Sequence, residues 1–276
     1  MAARADKASF WDHLDVLRAV ILRCVAVAVA LGVVAFLFKE ELFAILLAPK
    51  DPDFVTYRLL GVISGLWGGG GFGSFEVELL NTWLAGQFVI HVRVAMSAGV
   101  VAASPYIIYQ LFRFVSPALY VNERRYAIKA VGGGYVMFVL GLLLCYFLVF
   151  PLTFRFLGTY QVSGEVQNMI SLQSYVSTFM AMSVAMGVVF EIPMLAWLFA
   201  RLGLLSSAVM RRYRKHAIVV IGVIAAVITP TSDIFTMLMV ATPMCLLYEA
   251  GIAIVKRTER GRADGEENGA GDMPTV

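Results

Sequence analysis

Apolar residues in this chain come in long blocks, and the polar ones gather between them. Six blocks stand out, at residues 19–38, 94–111, 130–150, 176–199, 217–229 and 234–255. Runs of this kind suit helices that cross a hydrocarbon core about 30 Å thick. The first block follows Arg4 and Lys7, the flank of a cleaved leader, but its twenty residues exceed the usual leader core, so it is read as a retained span. The fifth has only thirteen residues, a rise of about 20 Å. Spans five and six are therefore read as short. They form either a re-entrant hairpin or a crossing where the bilayer is locally thinned. Pro105, Pro193 and Pro243 interrupt blocks. Each removes a backbone donor and tends to bend its helix. The expected fold is an all-α integral membrane protein, with six transmembrane helices in a cupped bundle and both termini cytoplasmic.

The connections divide the chain further. Residues 1–18 hold an amphipathic segment in which Phe10, Leu14 and Leu17 share a helical face, and Asp12 and Asp15 lie on the polar side. Residues 19–255 form the membrane domain. Residues 256–276 are polar, rich in glycine and expected to be disordered. The segment 39–82 is a long connection. Its glycine-rich piece lacks the Lys-Ser or Lys-Thr of a phosphate loop, and reads as a flexible connector that dips into the interface through Trp67 and Phe72. No internal repeat is visible.

Composition agrees with the pattern: 60% of the 276 residues are apolar and 15% are charged, against about a quarter charged in soluble domains. The net charge of +3 matters less than its placement. Sixteen Lys and Arg residues fall in the N-terminus, the connections after blocks two and four, and the tail. Four, Lys39, Lys50, Arg58 and Arg155, fall on the other side. The positive-inside rule then puts both termini in the cytoplasm.

Little in the chain suggests catalysis or metal binding. His13, His91 and His216 are scattered, and Cys24, Cys145 and Cys245 sit in apolar blocks without a Cys-x-x-Cys pair. No metalloprotease, serine-hydrolase or dinucleotide motif is present. The chain is read as no enzyme, with no cofactor and no metal. Two acids carry more information. Glu191 lies in the otherwise uncharged run from Val184 to Phe199, where a carboxyl costs roughly 2.5–3.5 kcal/mol to insert. It either maintains a polar pocket or is a protonated side chain bonded to a neighbouring helix. Glu123 is an acid beside Arg124, Arg125 and Lys129. It is either a surface partner of those bases or a reader of a cationic ligand.

Several ordered pieces together resemble the TatC family, the polytopic receptor of the twin-arginine protein translocase. They are His13-Leu14-x-x-Leu17-Arg18, Ser104-Pro105-Tyr106 with Tyr109-Gln110, and Pro117-Ala118-Leu119-Tyr120 with Glu123-Arg124-Arg125. Further along come Tyr146 to Leu152, Phe190-Glu191-Ile192-Pro193, Thr229-Pro230 before Asp233, and Pro243 ahead of Leu247-Tyr248-Glu249. The match runs from residue 10 to about residue 255. The chain departs from the family's usual form in three places. Its N-terminal acid is Asp15 and not residue 16, the turn after span five is one residue longer, and Met237 stands at a position often polar.

The resemblance implies a receptor for twin-arginine signal peptides of folded passengers. Glu123 is then the first reader of the two guanidinium groups and Asp15 the second, with Arg18 and Arg124 beside them. Glu191 is the intramembrane polar residue, and Pro49, Pro230 and Asp233 serve structure or partner docking. The implied partners are TatA/TatB-type single-span subunits and further copies of the chain, with no nucleic acid, in the cell inner membrane. Small residues on spans five and six, Gly222, Ala225, Ala226 and Ala241, are the expected docking places. The competing expectation is a proton-coupled small-solute transporter that uses Glu191 as a relay.

Overall fold

The computed structural model describes residues 2–66, 77–115, 124–161, 163, 168–229 and 233–270. Helices dominate. In chain order they are α1 (Ala2–Phe36), α2 (Lys39–Leu47), α3 (Val55–Leu66), α4 (Gly86–Val115), α5 (Arg124–Leu144) and α6 (Phe150–Thr159). After these come α7 (Leu172–Phe190), α8 (Ile192–Arg201), α9 (Ser207–Arg212), α10 (Arg214–Ile228) and α11 (Ile234–Ala270). Two short strands, β1 (Leu79–Leu80) and β2 (Ile170–Ser171), pair in parallel, a small exception to the all-helical expectation.

Among the described residues, five stretches are long and apolar enough to cross a membrane: Leu14–Phe36, Gly86–Phe114, Val131–Thr159, Leu172–Arg201 and Ile234–Gly261. The expected fifth span is α10, whose 15 residues rise about 22 Å, short of a full crossing. The sixth block is not short, because α11 runs through Pro243 to Ala270. One proline removes one donor, which a long helix tolerates where its neighbours re-satisfy the freed carbonyl. The same helix carries residues 256–270, which were expected to be disordered. Arg, Glu, Lys and Ala in that stretch are good helix formers, so propensity outweighs the glycines. The segment 39–82 likewise holds α2 and α3, while its glycine-rich piece with Trp67 and Phe72 lies outside the described residues.

The chain divides into two compact units. The first comprises Met1–Tyr135 and Phe154–Met180, and the second Val136–Thr153 and Ala181–Val276. In the first unit α1 lies against α4. Their approach is so close that a Cβ on Gly99 would stand 2.4 Å from the Gly32 nitrogen and 2.5 Å from the Ala28 carbonyl oxygen. Small residues at such a crossing replace the hydrophobic drive that lipid surroundings remove. In the second unit α8, α9 and α11 share a core of Ala196, Ala200, Met210, Ile252 and Val255. α10 and α11 pack as a helical hairpin.

Prolines set two of the helix breaks. Residues Cys145–Val149 form a π-helical turn, in which the Phe150 N–H donates to the Cys145 carbonyl five residues back. The wide turn comes immediately before Pro151, whose ring would crowd an ordinary turn and which has no N–H to donate. The expected span at 176–199 is in fact two helices. α7 ends at Phe190, Glu191 forms a turn, and α8 begins at Ile192 with Pro193 in its first turn. Pro193 suits that position, since the first N–H groups of a helix have no intrahelical partner.

Candidate functional site

Glu191 sits at the joint between α7 and α8. Its own N–H reaches back to the Val188 carbonyl at 3.1 Å, and its carbonyl accepts from Met194 and Leu195 at 3.0 and 2.9 Å. The backbone is thus satisfied across the break, and the side chain carries the unmet polar atom. The residue is half-buried. Its Oε1 is buried and has no hydrogen-bond partner among the described residues. Leaving such an atom unmet costs about 1–3 kcal/mol, so it calls for a water, a proton or a ligand group. α7 is tightly packed against α5 just before this joint. A Cβ on Gly141 would meet the Met186 carbonyl oxygen at 2.6 Å and the Phe190 side chain at 2.9 Å. Phe138 presses on Gly187 one turn before Glu191.

The other expected site residues stand elsewhere. Asp15 and Arg18 are both exposed, one turn apart on α1. α1 runs without a break from the N-terminal segment into the first span. Glu123 lies outside the described residues, and so does Pro230. Arg124 opens α5 directly after Glu123.

Pro49 is buried in the 3-10 turn Ala48–Lys50, and its carbonyl accepts from the Tyr57 hydroxyl at 3.0 Å. Burial pushes the Tyr57 phenol above its usual range, partly offset by Arg155. The Arg155 guanidinium stands 5.5 Å over the Tyr57 ring. Tyr175 donates to the Leu46 carbonyl at 2.9 Å and meets Phe154 edge-on. Asp233 caps α11: its Oδ1 accepts from the Thr236 N–H at 2.7 Å. Pro49 and Asp233 therefore hold local structure through defined bonds.

Ala225, expected on a docking face, is fully buried, so it packs within the second unit. Gly222, Ala226 and Ala241 keep at least partial exposure. The sequence reading missed Tyr57, Tyr175 and the charged contacts of α9 and α10 with α11. Glu259 accepts from the Ser207 N–H at 2.9 Å and from its hydroxyl at 2.5 Å. Arg214 forms a two-bond fork with Glu249. Spacing offers no signal for contacts thirty-five to 129 residues apart. The three cysteines are free thiols. No group of three or more potential metal ligands occurs among the described residues.

With this geometry established, comparison with known proteins is informative. The family described as "Sec-independent protein translocase protein (TatC)" matches residues 12–243. Relatives of that name include one from Deinococcus radiodurans, 36% identical over 90% of this chain and 85% of its own length. Another, from Desulforapulum autotrophicum, is 33% identical over the whole of this chain and 94% of its own. A crystal structure described as the twin arginine translocase receptor TatC superposes with a TM-score of 0.71 at 30% identity. It covers 89% of this chain and 99% of the other. The competing transporter reading finds no support in these comparisons.

Proposed function

The chain belongs to the TatC family of protein translocase components, which is a transport and not an enzymatic family, and on that premise we propose that it is the receptor and core subunit of a twin-arginine translocase. The observation that carries this reading is the likeness, over nearly the whole chain, to a structure described as that receptor. In this reading six spans, α10 among them, cross the inner membrane with both termini in the cytoplasm. The sixteen-to-four placement of Lys and Arg supports that orientation.

Recognition rests on two acids. A guanidinium meets a carboxylate in a planar two-bond fork that lysine lacks. Glu123 reads the arginine pair first and Asp15 second, with Arg18 and Arg124 setting the local charge. An exposed ion pair is worth about 0–1 kcal/mol. A charge-assisted bond adds about 1.5–3 kcal/mol. Micromolar affinity needs about 8 kcal/mol. Two carboxylates fall short, so burial of the signal's apolar stretch supplies the remainder. Glu191 keeps a polar, hydrated pocket within the membrane domain, a role that its unmet carboxyl oxygen supports. Small TatA/TatB-type subunits complete the translocase around spans five and six, where Gly222, Ala226 and Ala241 permit close helix approach. More than one copy of the chain works in the assembled complex.

The test places this chain in a strain without its own receptor and follows export of a folded twin-arginine reporter. Export is expected, and the twin-lysine reporter should fail. Crosslinking of a twin-arginine peptide should be lost in Glu123→Ala membranes. Glu191→Gln should retain more export than Glu191→Ala. Normal crosslinking and export by Glu123→Ala would remove the acidic reader from the scheme.

A further inference from the structure

The corner of the second unit where α9 and the start of α10 meet α11 carries more positive charge than the reading above uses. Its acids are already engaged. Glu259 is held by the N–H and hydroxyl of Ser207, and Glu249 by the Arg214 fork. Arg211 is bound back along its own helix, donating to the Ser207 carbonyl and hydroxyl oxygens at 3.2 and 3.3 Å. Arg212, Lys215, Lys256, Arg257 and Arg260 are exposed and have no acidic partner among the described residues.

Two of these cations continue into an apolar tract. Lys215, Val219, Val223 and Val227 follow one another at four-residue steps, so they share one face of α10. The three valines are 67%, 60% and 80% exposed. His216, Val220 and Ile224 repeat the pattern on the adjoining face, the last two also exposed, and Arg212 ends α9 just before them, across the Tyr213 turn. From Lys215 to Val227 the tract rises about 18 Å. An apolar ridge that ends in two unpaired cations complements a molecule with an acyl chain and a negatively charged head. Basic residues at span ends hold such heads by charge and hydrogen bonding. A single-span partner docked through Gly222 and Ala226 on the same side of α10 would cover the valines but would leave Arg212 and Lys215 without counter-charge, so the lipid takes this face when the chain has no partner there.

We infer that an anionic phospholipid binds at the head of α10, with its phosphate between Arg212 and Lys215 and an acyl chain along Val219, Val223 and Val227. The charge of Lys256, Arg257 and Arg260 on neighbouring α11 raises the local potential. The site does not depend on signal-peptide reading, since Glu123, Asp15 and Glu191 take no part in it.

The experiment uses the full chain alone in nanodiscs of phosphatidylcholine with and without phosphatidylglycerol. Lipid retained by the released protein is counted by native mass spectrometry, and thermal stability is followed in parallel. Phosphatidylglycerol is expected to be retained selectively and to raise the melting temperature. Arg212→Gln with Lys215→Gln should weaken retention about fivefold per residue and about thirtyfold together. Arg212→Lys with Lys215→Arg should restore it. Lys39→Gln with Lys50→Gln removes equal charge elsewhere and should leave retention unchanged. Equal retention by the glutamine pair would overturn the site. So would the same melting shift from inorganic phosphate in pure phosphatidylcholine, because that would assign the cations to a soluble anion.

Discussion

Tyr57 and Tyr175 fasten the first unit with neutral hydroxyl groups that donate to the carbonyls of Pro49 and Leu46. Both rings are buried, at 4% and 2% exposure. Glu259 and Glu249 fasten the second unit with carboxylates, bound to Ser207 and Arg214 at partly exposed positions. A neutral bond in a buried setting leaves no charge to compensate, and salt has no purchase on it. The charged bonds are stronger one by one. They are also open to water and ions, which weaken them. They commit both acids of the corner and so leave five cations facing outward. One region is therefore built to be fixed, and the other to present charge.

The largest expected effect tests the fixed region. Tyr175→Ala removes a buried ring that meets Phe154 at 4.9 Å between centroids and should cost about 3–5 kcal/mol. Tyr175→Phe keeps the ring and leaves the Leu46 carbonyl unmet, at about 1–3 kcal/mol. Thermal unfolding in nanodiscs measures both. The two losses should be the same in low and high salt. A salt-dependent loss for either variant would erase the contrast with the second unit.

The middle effect lies in the charged corner. Glu259→Gln keeps the shape of the side chain but replaces two charge-assisted bonds to Ser207 by neutral ones. The expected loss is about 1–2 kcal/mol. Ser207 stands in the first turn of α9, where a negative group also favours the helix end. Hydrogen exchange should rise first at α9, because that six-residue helix has few bonds of its own. Uniform exchange across the second unit would mean that Glu259 supports the whole unit and not one corner.

The two regions were not equally legible beforehand. Long apolar blocks announce spans because a bilayer demands length, and all five long apolar helices fall on them. Block boundaries carry less information about breaks. Pro193 marked an interruption, but whether the helix bends or stops there depends on what satisfies Val189 and Glu191. Pro243 looks the same in sequence and interrupts nothing. The resemblance gives Asp233 a part in structure or partner docking without saying which, although an Asp before an apolar run is a usual helix start and its carboxylate caps α11 at Thr236. Ala225 was misplaced because a helix face cannot be assigned inward or outward when both sides of the helix are apolar. The Tyr175–Leu46 bond and the Ser207–Glu259 contact join residues distant in sequence, and the pattern of a single chain gives no register for them.

The smallest expected effect concerns the Arg214–Glu249 fork. Both side chains are about half exposed, 52% and 42%, so much of their attraction is spent against solvent and ions. Glu249→Gln should lower the melting temperature less than Glu259→Gln does, and high salt should erase the difference from the parent chain. Arg214→Gln should behave alike, and the double variant should be no worse than either single one, since the second change removes a partner already lost. The same substitutions bear on the charge the corner presents. Glu249→Gln frees Arg214 and should increase retention of phosphatidylglycerol, whereas Arg214→Gln frees Glu249 and should decrease it. Opposite signs in lipid retention, with like signs in stability, would separate the fastening role of the pair from its role in limiting the exposed charge. Like signs in both would show that the corner's charge is only a by-product of how it is held together.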